Sequence, residues 1–322
     1  MKQLISIPSH PSLPVANPLI STNRTCATHL TASICIPARN EEKTISRLVT
    51  DLDHTLKSTG IVSEIVVLDD RSTDLTRLEA ELAGATVYST ADVLRHFGPS
   101  HGKGDAMWRS LAVSTGDIVL WCDGDLQDLD VSLMGSLVQR LRYDRACMLA
   151  KGYFRRIDAD GVASHGGRVT ELAARPLLSL LFPDAAHIHE PLGGIYAMRR
   201  SAAESVSFES DYGVDVGLLI DTIRTYGVGA VAQIDLGDLR HRNQSLEALA
   251  VQAACVERAI LTRSGFDPRR LGHMISRRDL GPANISAPLR PPLDTVLTSG
   301  VTARQPVPRS SRESACTFCD IG

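Results

Sequence analysis

The stretch Ile118-Val119-Leu120-Trp121-Cys122 is apolar at every position and runs directly into Asp123-Gly124-Asp125. An extended segment with no polar face fits only the interior of a sheet that is covered on both sides. Ser33-Ile34-Cys35-Ile36-Pro37 and Glu64-Ile65-Val66-Val67-Leu68-Asp69 read the same way, and Thr86-Val87-Tyr88 is a shorter run. Helical spacing separates them. Ile45, Leu48, Val49, Leu52 and Leu56 share one face of 41–57, and 73–82 and 105–114 read as further helices. Strands that alternate with helices in this way predict an α/β fold with a mostly parallel sheet, whose ligands bind beyond the carboxyl ends of the strands. Three of those ends carry polar groups: Arg39-Asn40-Glu41, Asp69-Asp70 and Asp123-Gly124-Asp125.

The second half is less regular. Segments 147–153, 194–198 and 228–236 read as strands, and 168–181, 214–226 and 246–261 as helices. Proline marks the borders, with four of the 16 before residue 31 and six after residue 280. Without a hydrophobic period, such segments cannot bury enough apolar surface to offset ordering entropy. We therefore expect an N-terminal tail over 1–30, a nucleotide-binding half over 31–125, an acceptor half over 126–265, and an extension over 266–322 that is disordered beyond about residue 280.

Charge narrows the function. Lys plus Arg number 34 against 37 Asp plus Glu, a net charge of −3, without the basic excess that binding of nucleic acid through its phosphates requires. No apolar run reaches the roughly 18–20 residues of a membrane span. The start of the chain lacks a secretory signal, and the seven Cys are scattered, Cys316 and Cys319 excepted. A cytoplasmic chain with reduced thiols is the expectation.

Two carboxylates that flank a glycine at a strand end can aim at one cation and its phosphate ligands. Mg²⁺ binds in this manner, through one or two carboxylates plus substrate phosphates. Asp-Gly is also a common turn pair. The acidic end at Asp69 and Asp70 lies where a base or ribose is gripped, and Ser72 or Thr73 can cap the helix that follows. In His101-Gly102-Lys103-Gly104, the glycines allow close backbone approach and the lysine can meet a diphosphate. Gly166-Gly167-Arg168-Val169-Thr170 opens a helix and suits an anion, through free N–H donors and a guanidinium fork. His241, in His241-Arg242-Asn243, can add an imidazole to a carboxylate metal site, a mixture that Mn²⁺ tolerates better than Mg²⁺.

Taken together, Pro37-Ala38-Arg39-Asn40-Glu41-Glu42, Asp69 to Asp74, Gly102-Lys103-Gly104, Trp108 to Ala112 and Asp123-x-Asp125 resemble a GT-A glycosyltransferase. Gly167 to Leu172, Ala174 to Leu178, Tyr212-Gly213-Val214, Gly217 to Thr222 and His241-Arg242-Asn243 narrow the resemblance to the glucosyl-3-phosphoglycerate synthase family of retaining enzymes (family 81), over about residues 33–265. That resemblance implies transfer of glucose from a nucleoside diphosphate sugar, UDP-glucose ahead of GDP-glucose, to 3-phosphoglycerate, with Mg²⁺ or Mn²⁺ as cofactor and a homodimer as the assembly. It implies that Pro37, Ala38, Glu41, Asp70, Lys103, Asp123, Asp125 and Leu192 hold the donor. Gly167, Arg168, Thr170, Asn243 and Tyr212 would hold the acceptor. Asp125, His241 and Asp123 would bind the metal, and Asp125, Asp215, His241 and Lys103 would form the catalytic set. The chain departs from the family at Asp70, at Asp215 (a glutamate elsewhere) and at Gly193-Gly194-Ile195 (Ser-Gly-Glu elsewhere), all on the donor-sugar side.

Other readings fit less well. A secondary-metabolism relative that glycosylates a phosphorylated nucleoside shares the same motifs. An inverting polymerase would carry membrane helices and Gln-x-x-Arg-Trp. A nucleotidyltransferase would carry a glycine-rich basic loop after the first strand. A non-catalytic sensor has no need of Asp123, Asp125 and His241 together.

Overall fold

The computed structural model describes residues 30–127, 129–157, 163–164, 167–240 and 245–298. The strands are β1 (Ala32–Ala38), β2 (Glu64–Asp69), β3 (Thr86–Ser89), β4 (Ile118–Trp121), β5 (Leu149–Ile157), β6 (Ala163–Ser164), β7 (Tyr196–Arg199), β8 (Phe208–Glu209) and β9 (Val231–Arg240). The helices are α1 (Ile45–Leu52), α2 (Thr76–Leu82), α3 (Lys103–Val113), α4 (Gly135–Tyr143), α5 (Arg175–Leu181), α6 (Pro183–Ala186), α7 (Arg200–Glu204), α8 (Val214–Tyr226) and α9 (Leu246–Arg263).

One eight-stranded sheet runs through both halves in the order β3-β2-β1-β4-β7-β5-β6, with β9 paired to β5. Strands β3, β2, β1 and β4 are parallel, β7 is antiparallel to both β4 and β5, and β9 is parallel to β5. Alternation along β1 shows why the sheet is covered twice. Ile34 and Ile36 enter a core with Leu48, Leu52, Leu137 and Leu141, whereas Cys35 enters the opposite core with Trp108, Trp121, Leu218 and Phe208. Thus α1 and α4 seal one face, and α3 and α8 the other. Cys35, Cys122, Cys147 and Cys255 are buried with free thiols. Among the described residues, no helix is long and apolar enough to cross a membrane.

Three expectations are corrected. Neither Ser72 nor Thr73 caps a helix. Arg71 takes a left-handed turn (φ 60°), and α2 starts only at Thr76, whose N–H donates to Asp74 Oδ1 at 3.0 Å. The helix expected over 168–181 contains a π-helical stretch, Thr170–Ala174, before α5. Pro176 lies at the second position of α5 and brings no N–H to the regular ladder. Finally, residues 281–298 are packed where a tail was expected. A hairpin pairs β10 (Met274–Ile275) with β11 (Ala283–Asn284), β12 (Leu289–Arg290) pairs with β8, and α10 (Leu293–Thr298) buries Leu293 and Val296. Long-range polar contacts hold this segment, and no local pattern announces them. Cys316 and Cys319 lie outside the described residues.

Candidate active site

The carboxyl ends of β1, β2 and β4 meet at one rim. Asp70 N–H donates to Ala38 O at 2.8 Å, and Glu41 N–H donates to Thr76 Oγ1 at 2.7 Å. The turn after β4 folds onto the same place. Thr44 Oγ1–H donates to Gly124 O at 2.8 Å. A Cβ on Gly124 would lie 3.4 Å from Glu41 Cγ and 3.5 Å from both Ala38 Cβ and Pro37 O. Pro37, Ala38, Glu41 and the Asp123-Gly124-Asp125 turn therefore form one wall, with Asp125 exposed at its lip. Asp70 is buried beside them, accepting from Thr90 Oγ1 at 3.1 Å and Arg71 Nε at 3.2 Å.

Lys103 opens α3 and links the two halves of the chain. Its Nζ lies 2.7 Å from Asp123 Oδ1 and 3.1 Å from Asp215 Oδ2, the latter at the first turn of α8. Burial works against the ammonium charge, but Asp123 and Asp215 outweigh it and hold Lys103 well above its ordinary pKa. Gly104 makes the approach feasible, since a Cβ there would lie 1.9 Å from Glu209 O.

Sequence patterns missed two members of this cluster. Tyr196 OH donates to Asp215 Oδ1 at 3.0 Å, and burial, then Asp215, keep the phenol protonated well above its ordinary range. Lys151 is buried beneath, donating to Gly193 O at 2.9 Å, with its Nζ 4.4 Å from the Tyr196 ring centroid. Burial pushes its pKa down to about 8. A lysine inside the apolar run 147–153 was the available signal, since buried lysine is rare without a partner.

The turn Glu190–Gly194 joins this cluster to the second candidate subsite. A Cβ on Gly194 would lie 2.2 Å from Asp123 Oδ2 and 2.6 Å from Lys103 Nζ. Leu192, partly buried, packs against the core beneath the turn. At its other end, Glu190 pairs with the Arg156 guanidinium through both oxygens, one of them at 2.8 Å from Nη2. Arg156 Nη2 in turn lies 3.4 Å from a Cβ built on Gly167, and Thr170 Oγ1 3.3 Å from it. Gly167, Thr170 and Arg156 are therefore brought together, and Arg168 is exposed beside them. Tyr212 is about half exposed, at the entrance to α8. Gly166, His241 and Asn243 lie outside the described residues.

Asp123 and Asp125 suit a hard divalent ion, since they offer oxygen donors that leave further positions for phosphate oxygens. Among the described residues, no three His, Cys, Asp or Glu side chains gather about one point, and His241 lies outside them. Lys103 lies between two aspartates, so this cluster can take a diphosphate only together with a divalent ion that offsets the carboxylates, while the exposed Arg168 offers positive charge for a smaller anion on the other side of the turn.

Comparison with known proteins gives the family. The model of Glycosyl transferase family 2 matches residues 33–207. Glucosyl-3-phosphoglycerate synthase of Mycolicibacterium smegmatis is 40% identical over 274 residues, covering 83% of this chain and 90% of the relative. The crystal structure of the Mycobacterium tuberculosis glucosyl-3-phosphoglycerate synthase with Mn²⁺, UDP-glucose and phosphoglyceric acid superposes with a TM-score of 0.75 at 36% identity, covering 83% of this chain and 91% of that one. The same enzyme with Mn²⁺, UDP and glucosyl-3-phosphoglycerate gives 0.75 at 35% identity, over 86% and 98%. Fold, rim and relatives converge: the chain belongs to the glucosyl-3-phosphoglycerate synthase family of GT-A glycosyltransferases.

Proposed function

We propose that this protein transfers glucose from UDP-glucose to the hydroxyl of 3-phosphoglycerate, with retention of anomeric configuration. The observation that carries the reading is the turn Glu190–Gly194, which touches Lys103 and Asp123 at one end and the Arg156–Gly167 pair at the other. It supports a nucleoside diphosphate site beside a site for a phosphorylated acceptor. Relatives hold UDP-glucose with phosphoglyceric acid, and UDP with the glucosylated product.

Pro37, Ala38, Glu41 and Asp70 form the base and ribose wall, and Leu192 lies under the sugar. Asp123 and Asp125, with His241, hold Mn²⁺ or Mg²⁺, which when bound neutralises charge on the diphosphate. Lys103 adds a second positive charge at that place. Gly167, Arg168, Thr170 and Asn243 hold the acceptor's anionic groups, with Tyr212 at the entrance. In the reaction, the bond from the anomeric carbon to the diphosphate oxygen breaks and UDP leaves with its electron pair. The acceptor oxygen bonds to the same carbon from the same face and passes its proton to the departing diphosphate oxygen.

Asp215 supports this front-face scheme. Its oxygens accept from Tyr196 and Lys103, which makes it a fixed electrostatic post and not a mobile nucleophile. Positioning and charge then supply most of the rate. We further propose a cytoplasmic homodimer. The exposed Leu172, Leu180 and Leu181 on the helical segment around α5 suit a self-association surface.

The test is turnover of UDP-glucose with 3-phosphoglycerate and Mn²⁺, with product configuration read by NMR. Acceptor-dependent formation of α-linked product supports the reading. Hydrolysis of UDP-glucose that ignores the acceptor, or a β-linked product, overturns it.

A further inference from the structure

We propose that Arg290, on the C-terminal segment, is a positioning residue for Lys103. The inference rests on the reading that Lys103 meets the donor diphosphate, and it adds the device that holds this lysine in place. Arg290 is 4% exposed. Its guanidinium donates to Asp105 Oδ2 at 2.5 Å, to Phe97 O at 2.7 Å and to Pro99 O at 3.3 Å.

Those three acceptors belong to the loop that leads into α3 and to the first turn of α3 itself. Asp105 is wholly buried, and each partner it holds constrains the same loop. Its Oδ2 accepts from His101 N–H at 3.1 Å, and its Oδ1 from Arg109 Nε at 3.0 Å. Arg109 reaches on to Gly98 O at 2.8 Å and Leu94 O at 3.2 Å. One buried carboxylate between two guanidiniums thus fixes the path from Leu94 to Asp105, and Lys103 lies inside that path.

The segment is tied down on both sides of Arg290. Trp108 Nε1–H donates to Pro291 O at 2.9 Å, and Ser210 Oγ–H donates to Pro288 O. β12 pairs Leu289 with Glu209 and Arg290 with Phe208. Glu209 O is the atom that leaves no room for a Cβ at Gly104, and Asp105 N–H donates to Ser210 O at 3.0 Å. The segment therefore grips both neighbours of the Lys103 turn, the loop before it and the strand beside it. A short fork of this kind, buried and directed at backbone carbonyls, sets geometry in a way that a flexible ammonium cannot.

The test uses full-length chain and steady-state kinetics. Arg290→Met is expected to raise the donor KM about tenfold or more while leaving the acceptor KM within about twofold, because the damage passes through the diphosphate contact. Arg290→Lys keeps the charge and is expected to fall between wild type and Arg290→Met; it stands in if the methionine variant does not fold. In a Lys103→Met background, Arg290→Lys is expected to add little further loss of donor binding, since two residues that act through one contact are not additive. Full additivity, or equal rises in both KM values, would leave Arg290 a general structural residue and overturn the proposal. If Lys103→Met itself leaves the donor KM unchanged, it is the underlying reading of Lys103 that fails.

Discussion

On the donor rim, Lys103 and Asp215 are interlocked and buried beneath the more open Asp123 and Asp125. Lys103 is 16% exposed at its side chain, Asp215 6%, and three separate elements (α3, the turn after β4, and α8) meet at a single ammonium. On the acceptor side, Arg156 is paired with Glu190, and Arg168 stands exposed at the surface. The rim draws its charges from three elements, whereas the acceptor side presents a solvent-exposed guanidinium beside the Arg156–Glu190 pair. The contrast suits the chemistry. A leaving diphosphate needs preset charge, and a small phosphorylated acceptor needs capture and alignment.

Substitutions can break that comparison, and the largest effect belongs to the metal carboxylate. Asp125→Ala is expected to reduce Mn²⁺-dependent transfer to background, measured as UDP release; retained activity would remove Asp125 from the metal. Gly194→Ala places a methyl group 2.2 Å from Asp123 Oδ2, so the carboxylate and Lys103 must move. We expect about a hundredfold loss in kcat/KM, the scale of a misplacement near 1 Å, with both substrates affected because the turn serves both sides. Lys103→Met leaves Asp215 buried without its ammonium, which is expected to cost about 3–5 kcal/mol in urea unfolding.

Smaller effects follow on the acceptor side. Arg168→Ala is expected to raise the acceptor KM far more than the donor KM, with stability changed by no more than about 0.5 kcal/mol, as for exposed positions generally. An unchanged acceptor KM would detach Arg168 from the site. The last effect concerns pH. Lys151 is held at about 8 by burial, while Asp215, Glu190 and Asp123 favour its charge and Lys103 opposes it. With the folded value below the unfolded one, the chain sheds this proton more readily when folded, and stability gains from rising pH between about 8 and the ordinary lysine value of about 10.4. Lys151→Met is expected to flatten that part of the melting curve against pH. An identical profile in wild type and variant would contradict the assignment.

What was legible in the sequence follows from what local pattern encodes. β1, β2 and β4 stand out because burial on both faces leaves no polar alternation, and the carboxylates stand out because they interrupt those runs. The Asp123-Gly124-Asp125 turn was readable for the same reason, and Lys103 because glycines flank it on both sides. The roles of Tyr196 and Lys151 depend on the antiparallel insertion of β7 between β4 and β5, a pairing fixed by tertiary packing. Arg290 was read as tail because Pro288, Pro291 and Pro292 surround it, whereas its partners lie more than 180 residues away in sequence. The start of α2 was misplaced because Asp74, and neither Ser72 nor Thr73, supplies the acceptor for Thr76.

The most direct measurement is calorimetric titration of UDP, with and without Mn²⁺, into wild type, Asp125→Ala and Lys103→Met. The account predicts tight binding to wild type only with the ion, a loss of that ion dependence in Asp125→Ala, and weakened binding at every ion concentration in Lys103→Met. Equal UDP affinity in all three proteins would contradict it.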